Sequence, residues 1–261
     1  MHLTNVYDIV IDPGHGGIDV GCNNEEYTES NITMKISSQI AKKLKEKGLK
    51  VKLTRTKNSL EEDEYFQEYE PHGRALIPYE VHAKYLLSIH VNSSESSRVN
   101  GVELYTANNI NYNFSTKLIK DILDTNLIEA STKDIYKIKD GIYTHNFTKE
   151  EIQENLEDYI QDGDNPYDIT TNSNYLYMIR ETGGIITGTY IDDRNKETVG
   201  YNPYYKSNVG VEGYLLELGY LTNSNDLTVL TENQKKYANT IANSIAEYLN
   251  NLWLLKRKMI I

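Results

Sequence analysis

Four residues of this 261-residue chain combine suggestive chemistry with a shared kind of position. His15 lies in "IDPGHGGIDVG", directly after the apolar run "YDIVI". His90 closes "YLLSIH". Glu217 follows "GYLL". Glu29 stands where a helical stripe begins. Two imidazoles and a carboxylate match the donor set of a catalytic zinc site that keeps a fourth position for water. Zinc lowers the pKa of bound water from about 15.7 to about 7, and a second carboxylate nearby can take the proton. The chemistry this pattern points to is metal-assisted hydrolysis.

Such residues can act together only if the fold brings them to one place. Residues 7–11 read as a short buried strand. Residues 12–28 form a glycine-rich polar loop. "ITMKISSQIAKKLKEKG" repeats apolar residues at Ile32, Ile36, Ile40 and Leu44, a helical stripe that Gly48 ends. "LKVKLTR" alternates as a second strand, so residues 7–55 read as a β–loop–α–β unit and predict a parallel sheet. Residues 74–84 predict a helix marred by Pro78. "YLLSI" and "GVELYT" predict third and fourth strands, residues 113–124 a helix, and 213–218 a late buried strand. "NQKKYANTIANSIAEYLNNLWLL" predicts a closing amphipathic helix with Ile241, Ile245, Tyr248, Leu249 and Leu252 on one side. In an open parallel sheet the carboxyl ends of the strands share one edge, and that edge holds the ligand crevice. His15, His90 and Glu217 all fall there.

Other candidates have simpler readings. His2, His72, His82 and His145 read as idle or structural. Glu29 alone could be a first-turn acid on the helix dipole, with Glu25 and Glu26 as close rivals for a ligand role. Asp12 and Asp19 compete as ligands too. Gly14, Gly16 and Gly17 read either as a tight turn or as room for close approach; "GHGG" has neither dinucleotide nor P-loop spacing.

Composition narrows the classes further. A formal net charge of -11 and no visible basic face exclude a typical nucleic-acid binder. No stretch has the apolar length of a membrane span. The single cysteine, Cys22, makes no internal disulfide. Twenty-two tyrosines against three phenylalanines suit a plain wet surface. Residues 58–73 read as an exposed acidic loop. Residues 140–208 read as an insertion packed on the same domain, with an acidic helical piece near 149–159, and with Arg180 and Glu181 able to reach the site, an exposed ion pair being the commoner case. No secretory leader is legible in "MHLTNVYDIV".

Four blocks, in order, resemble the zinc-dependent N-acetylmuramoyl-L-alanine amidases of the amidase-3 type. "IDPGHGGIDVG" is similar to the family's first strand and ligand loop. "ESNITMKISSQIAKKLKEKGLKVKLTR" is similar to its second-ligand block, "YLLSIHVN" with "GVELY" to its third, and "GYLLELGYLTN" to the block of its catalytic glutamate. The resemblance implies His15, Glu29 and His90 as Zn2+ ligands, selecting Glu29 over Glu25 and Glu26. It implies Glu217 as general base, and a structural or substrate-binding role for Arg74. It implies a single α/β domain: a mostly parallel mixed sheet flanked by helices, phosphorylase/hydrolase-like, with the insertion at about 140–208. The implied reaction is hydrolysis of the amide between the lactyl group of N-acetylmuramic acid and L-alanine in peptidoglycan. It would occur outside the cytoplasm, in cell wall or spore cortex, with no nucleic acid, no membrane insertion and room for an activating protein partner. Gly213 departs from the proline that usually precedes the catalytic glutamate. "NYLYMIRETGGIITGTY" is similar to clostridial members, including those acting on spore cortex. Competing readings are a zinc peptidase on stem peptides and a peptidoglycan-binding module without catalysis.

Overall fold

The computed structural model describes residues 7–24, 26–57, 74–75, 77–108, 110–162, 169–183 and 211–258. The acidic segment 58–73, Glu25, His2 and His72 lie outside them. The strands are β1 (Ile9–Pro13), β2 (Val51–Leu53), β3 (Tyr85–Asn92), β4 (Glu103–Thr106), β5 (Lys137–Lys139), β6 (Ile142–Tyr143) and β7 (Glu212–Tyr220). They form one mixed sheet in the order β2-β1-β3-β7-β4-β6-β5. The run from β2 to β7 is parallel, β4 is antiparallel to β7, and β6 is parallel to β4. The helices are α1 (Glu29–Glu46), α2 (Ile77–Glu80), α3 (Asn113–Leu123), α4 (Lys149–Asp162), α5 (Tyr177–Gly183), α6 (Ser224–Thr231) and α7 (Gln234–Lys258).

Alternation along the strands gives the sheet two unlike faces. Ile9, Ile11, Leu87, Ile89, Leu104, Tyr214, Leu216 and Leu218 point one way. They meet Ile36 and Ile40 of α1, Phe114 and Leu118 of α3, and Ile241 and Ile245 of α7 in the main core. The stripe on α1 and the one on α7 are therefore buried against the sheet. The other face is graded along the strands. Val10 and Leu86, early in β1 and β3, pack under Ile77, Tyr79 and Met178. Tyr105 and Leu215 pack under Ile179. Farther along the same face stand Asp12, Ser88, His90, Glu217 and Glu103. Among the described residues only the short α2 and α5 cover this side, and the polar end is left to the site.

Several local expectations need revision. The helix predicted over 74–84 is the four-residue α2. Pro78 stands in its first turn, where a missing N–H costs nothing, and His82 leaves it with φ 53°. Residues 140–208 are not all peripheral: β6 extends the sheet beside β4. α4 begins with a capping box, in which Thr148 N donates to Glu151 at 2.8 Å and Glu151 N to the Thr148 hydroxyl at 3.1 Å. Arg180 is buried and donates to the carbonyls of Asn174 and Tyr175 at 3.0 and 2.8 Å, so it is no exposed ion pair. The tyrosines are not simply surface residues either. Tyr79, Tyr143, Tyr214 and Tyr237 are among the largest fully buried side chains. Tyr143 and Tyr237 donate to the carbonyls of Ser131 and Leu218, each at 3.0 Å.

Candidate active site

The loop after β1 turns sharply enough to aim His15 back at the sheet. His15 itself has φ 58°, a left-handed conformation unusual for a non-glycine residue, and Gly16, Gly17 and Gly21 have φ of 128°, 63° and 65°. Two glycines leave space that the site fills. A Cβ on Gly14 would lie 2.5 Å from the His90 ring, and one on Gly21 would lie 2.6 Å from Glu29 Oε2 and 2.7 Å from the His15 ring. Buried arginines hold the loop. Arg55 donates to the carbonyls of Pro13, Gly14 and Ser30 at 3.0, 2.9 and 3.0 Å. Arg74, 5% exposed, donates to the His15 carbonyl at 2.8 Å and pairs with Asp12 at 3.2 Å. Of the two roles considered for Arg74, these contacts support positioning of the loop.

Glu29 opens α1 and is buried, with its carboxylate fixed by backbone donors. Oε1 accepts from Val91 N at 2.9 Å and Oε2 from Cys22 N at 3.0 Å. The Val91 N–H is available because it faces the β1 side of β3, as Ile89 does where its carbonyl accepts from Gly14 N, and β1 has ended at Pro13. Glu26 is exposed. Asp12 is fully buried and accepts from Ser88 and Thr54 at 2.6 Å each; Asp19 accepts from His15 Nδ1 at 2.5 Å. The two aspartates weighed as ligands thus support the histidines from behind.

His15, Glu29 and His90 each bring one donor atom into a cluster within 4.8 Å that could hold a metal ion. Glu29 Oε1 lies 3.1 Å from both His15 Nε2 and His90 Nδ1. The hydrogen-bond partners fix both tautomers. Asp19 can only accept, so His15 Nδ1 carries hydrogen. Ser88 donates its hydroxyl to Asp12, so it accepts from His90 Nε2 at 3.1 Å. The remaining nitrogens therefore present lone pairs to a carboxylate oxygen, and three acceptors converging this way call for a cation among them. Ligands of a tetrahedral zinc at about 2.0 Å stand roughly 3.3 Å apart, close to the separations seen. A proton competes for the same place. Burial disfavours the charged imidazole, but Glu29 and Asp19 outweigh it and raise His15 to about 9. Burial likewise disfavours the Glu29 carboxylate, and His15 and His90 overcome it and hold its pKa far below the usual range.

Glu217 is the direct partner of His90 across β3 and β7. Its Oε2 is buried with no hydrogen-bond partner. Burial pushes its carboxyl well above the usual range, and the nearby Glu29 and Glu103 add to that. Two residues that sequence reading passed over complete this side. Glu103, wholly buried, is the partner of Glu217 across β7 and β4, and Lys133 Nζ stands 3.7 Å from Glu103 Oε2. The available signal was the apolar strand "GVELY", in which Glu103 is the only charge. His82 and His145 stay apart from the cluster of donors. His145 is stacked between Tyr136 and Tyr175, with centroids 3.7 and 4.2 Å away, and bonds Glu151 at 2.9 Å. Gly213 has a structural reason: a Cβ there would lie 2.7 Å from the Thr182 hydroxyl of α5.

Fold and site together describe an α/β domain with a His–Glu–His cluster that could hold a metal ion. Residues 9–249 match the family Amidase_3, N-acetylmuramoyl-L-alanine amidase, and the chain belongs to it. It is 32% identical over 122 residues to a probable cell wall amidase, LytH, of Staphylococcus aureus, a stretch covering 46% of this chain and 36% of that protein. The match thus spans about a third of that relative's length. Among solved structures, the catalytic domain of CwlV, an N-acetylmuramoyl-L-alanine amidase from Bacillus (Paenibacillus) polymyxa var. colistinus, aligns with a TM-score of 0.58 at 23% identity, covering 94% of this chain and 98% of that one. The CwlD amidase from Clostridioides difficile, solved in complex with the GerS lipoprotein, aligns with a TM-score of 0.53 at 22% identity, covering 94% and 98%. The fold expected from the sequence is the fold these chains share.

Proposed function

We propose that this protein is a zinc-dependent N-acetylmuramoyl-L-alanine amidase that cleaves the amide joining the lactyl group of N-acetylmuramic acid to L-alanine in peptidoglycan. The observation that carries the reading is the convergence of His15 Nε2, Glu29 Oε1 and His90 Nδ1 beside an unpartnered carboxylate on Glu217. His15, Glu29 and His90 would hold the ion, which supplies Lewis acidity and a water acidic enough to ionise near neutral pH. Asp19 and Ser88 keep each imidazole in the tautomer that offers its lone pair. Glu217 takes a proton from water at its free Oε2 and returns it to the departing amine. A carboxyl whose pKa burial has raised suits both halves of that exchange.

The site of action in this reading is extracytoplasmic, in cell wall or spore cortex. Among the described residues no helix is long and apolar enough to cross a membrane. An activating protein partner is part of the proposal, since the CwlD neighbour was solved bound to a lipoprotein. The test is metal content of wild type beside His90→Ala, with peptidoglycan digestion on the same samples. One zinc per chain, lost with activity in the variant, and new L-alanine amino termini among the products are expected. Termini elsewhere in the stem would instead favour the peptidase alternative.

A further inference from the structure

Resting on that reading, we propose that Lys133 is a substrate-binding residue that receives a carboxylate of the stem peptide on the leaving-group side of the scissile amide. The argument begins with the row His90, Glu217, Glu103, three residues that are successive partners across β3, β7 and β4. Partners in register present their side chains on the same face, and neighbouring strands lie about 4.8 Å apart. The row therefore runs about 10 Å from a donor of the metal cluster to Glu103, with Glu217 between.

Lys133 stands at the far end of the row. Its Nζ donates to the Tyr105 hydroxyl at 2.7 Å and lies 3.7 Å from Glu103 Oε2. Glu103 is already satisfied, because Tyr105 donates to Oε2 at 2.7 Å and Tyr220 donates to Oε1. The ammonium thus rests on the tyrosine hydroxyl and in a long ion pair with the glutamate. Its side chain is 33% exposed. Arg55 and Arg74, the other cations placed against the site, are buried and turned on the backbone of the His15 loop. In a chain of net charge -11, an accessible cation beside the general base is a selective feature.

The direction of the substrate follows from the proton transfer. Glu217 protonates the leaving nitrogen, so the amine half of the substrate lies on the Glu217 side of the metal cluster and runs over β4. The muramoyl half carries no charge once its lactyl carboxylate is tied up in the amide, whereas the stem peptide is acidic. A carboxylate on the residue after L-alanine lies about 7 Å from the scissile carbonyl at ordinary chain dimensions, within reach of Lys133.

The test uses the zinc-loaded full chain and L-alanyl peptides whose second residue carries either a free carboxylate or its amide. Affinities are measured by calorimetry for wild type, Lys133→Gln and Lys133→Arg, with turnover of the matching muropeptides alongside and thermal melting as a check on folding. We expect wild type to bind the free acid about tenfold more tightly, as for a hydrogen bond to a charged group. That preference should collapse in K133Q and persist in K133R. Equal affinities in wild type, or a preference that survives K133Q, would overturn the proposal, since a purely structural lysine weakens both peptides alike. A binding preference with no turnover of either muropeptide would sink the amidase reading and leave the carboxylate site standing. Turnover without the preference would do the reverse.

Discussion

Glu217 and Glu103 sit directly opposite one another on antiparallel strands, yet their carboxylates live in opposite surroundings. Glu103 is tied at both oxygens by tyrosine hydroxyls, while Glu217 keeps a buried oxygen with no partner. Two hydroxyl donors hold one carboxylate, while burial makes its neighbour keep a proton more readily. A carboxyl raised in this way suits both halves of the proposed exchange at Glu217, taking a proton from water and returning it to the amine.

Glu217→Gln should retain zinc and lose turnover by about 10²–10⁴-fold, the range for removing a general base. The same substitution should not lower the melting temperature of metal-free protein at pH 7. The folded-state pKa of Glu217 is raised, so the stability linked to its proton is lost as pH rises, and the ionised carboxylate is a burden that glutamine removes. Calorimetric melting of metal-free wild type and variant checks this, and a clearly lower melting point in the variant would count against it.

Metal and proton compete at the ligand cluster. Metal-free His15 is raised to about 9, so the proton must be displaced even at neutral pH. Apparent zinc affinity should therefore fall about tenfold per pH unit as pH drops below about 9, rather than only below the ordinary histidine value near 6.5. A chelator-competition titration from pH 6 to 9 measures the slope, and a flat profile over that range would contradict the assignment of His15 as a ligand.

Ser88 is a sharper test of the tautomer argument because it touches no metal in any reading. Ser88→Ala removes the acceptor of the His90 Nε2 hydrogen and the donor to Asp12. Zinc affinity should fall about 10–100-fold, as is usual when an outer partner of a metal-bound histidine is lost. Circular dichroism should show the fold intact.

The Asp12–Arg74 pair predicts behaviour in acid. Burial disfavours the Asp12 carboxylate, but Arg74, Ser88 and Thr54 outweigh it and hold its pKa below the ordinary value. Its contribution to stability is therefore present above the unfolded value near 3.9 and lost as pH falls below that. Asp12→Asn should cost about 3 kcal/mol at pH 7, because it removes the charge partner of a buried guanidinium, and the deficit should shrink in acid. Urea unfolding at pH 7 and at pH 3 reports both values.

Gly14 tests the packing of the site without a change of charge. Gly14→Ala places a methyl group against the His90 ring, where the nearest ring atom would be 2.5 Å away. We expect zinc binding to drop sharply with a smaller change in melting temperature, read from metal content and thermal denaturation of one preparation.

Much of this was legible in the residues, and what was not has a physical cause. The stripe on α1 and the apolar run of β7 announced themselves, because burial against a sheet imposes period 3.6 or a continuous apolar run. Their ends gave the neighbourhood of Glu29 and Glu217. The short β5 and β6 were invisible, since two or three residues carry no period, and they border a stretch read as an insertion. The helix over 74–84 shrinks to Ile77–Glu80, with Pro78 in its first turn and left-handed backbone at His82 just beyond it. Glu103 had a signal as the only charge in an apolar strand, but its place beside Glu217, and that of Lys133, follows from the strand register and from contacts between distant parts of the chain.

The unlike faces of the sheet have a wider consequence. Cohesion is concentrated on the side covered by α1, α3 and α7, where the strands are apolar throughout. The side bearing the site gathers ionisable groups, left-handed backbone and tight glycines, and the helices over it are short. The chain can thus alter its reactive surface while the architecture beneath stays fixed. Variants that change substrate preference should be tolerated at residues 132–136 far more readily than changes at the buried positions of α1 or α7, such as Ile36, Ile40, Ile241 and Ile245.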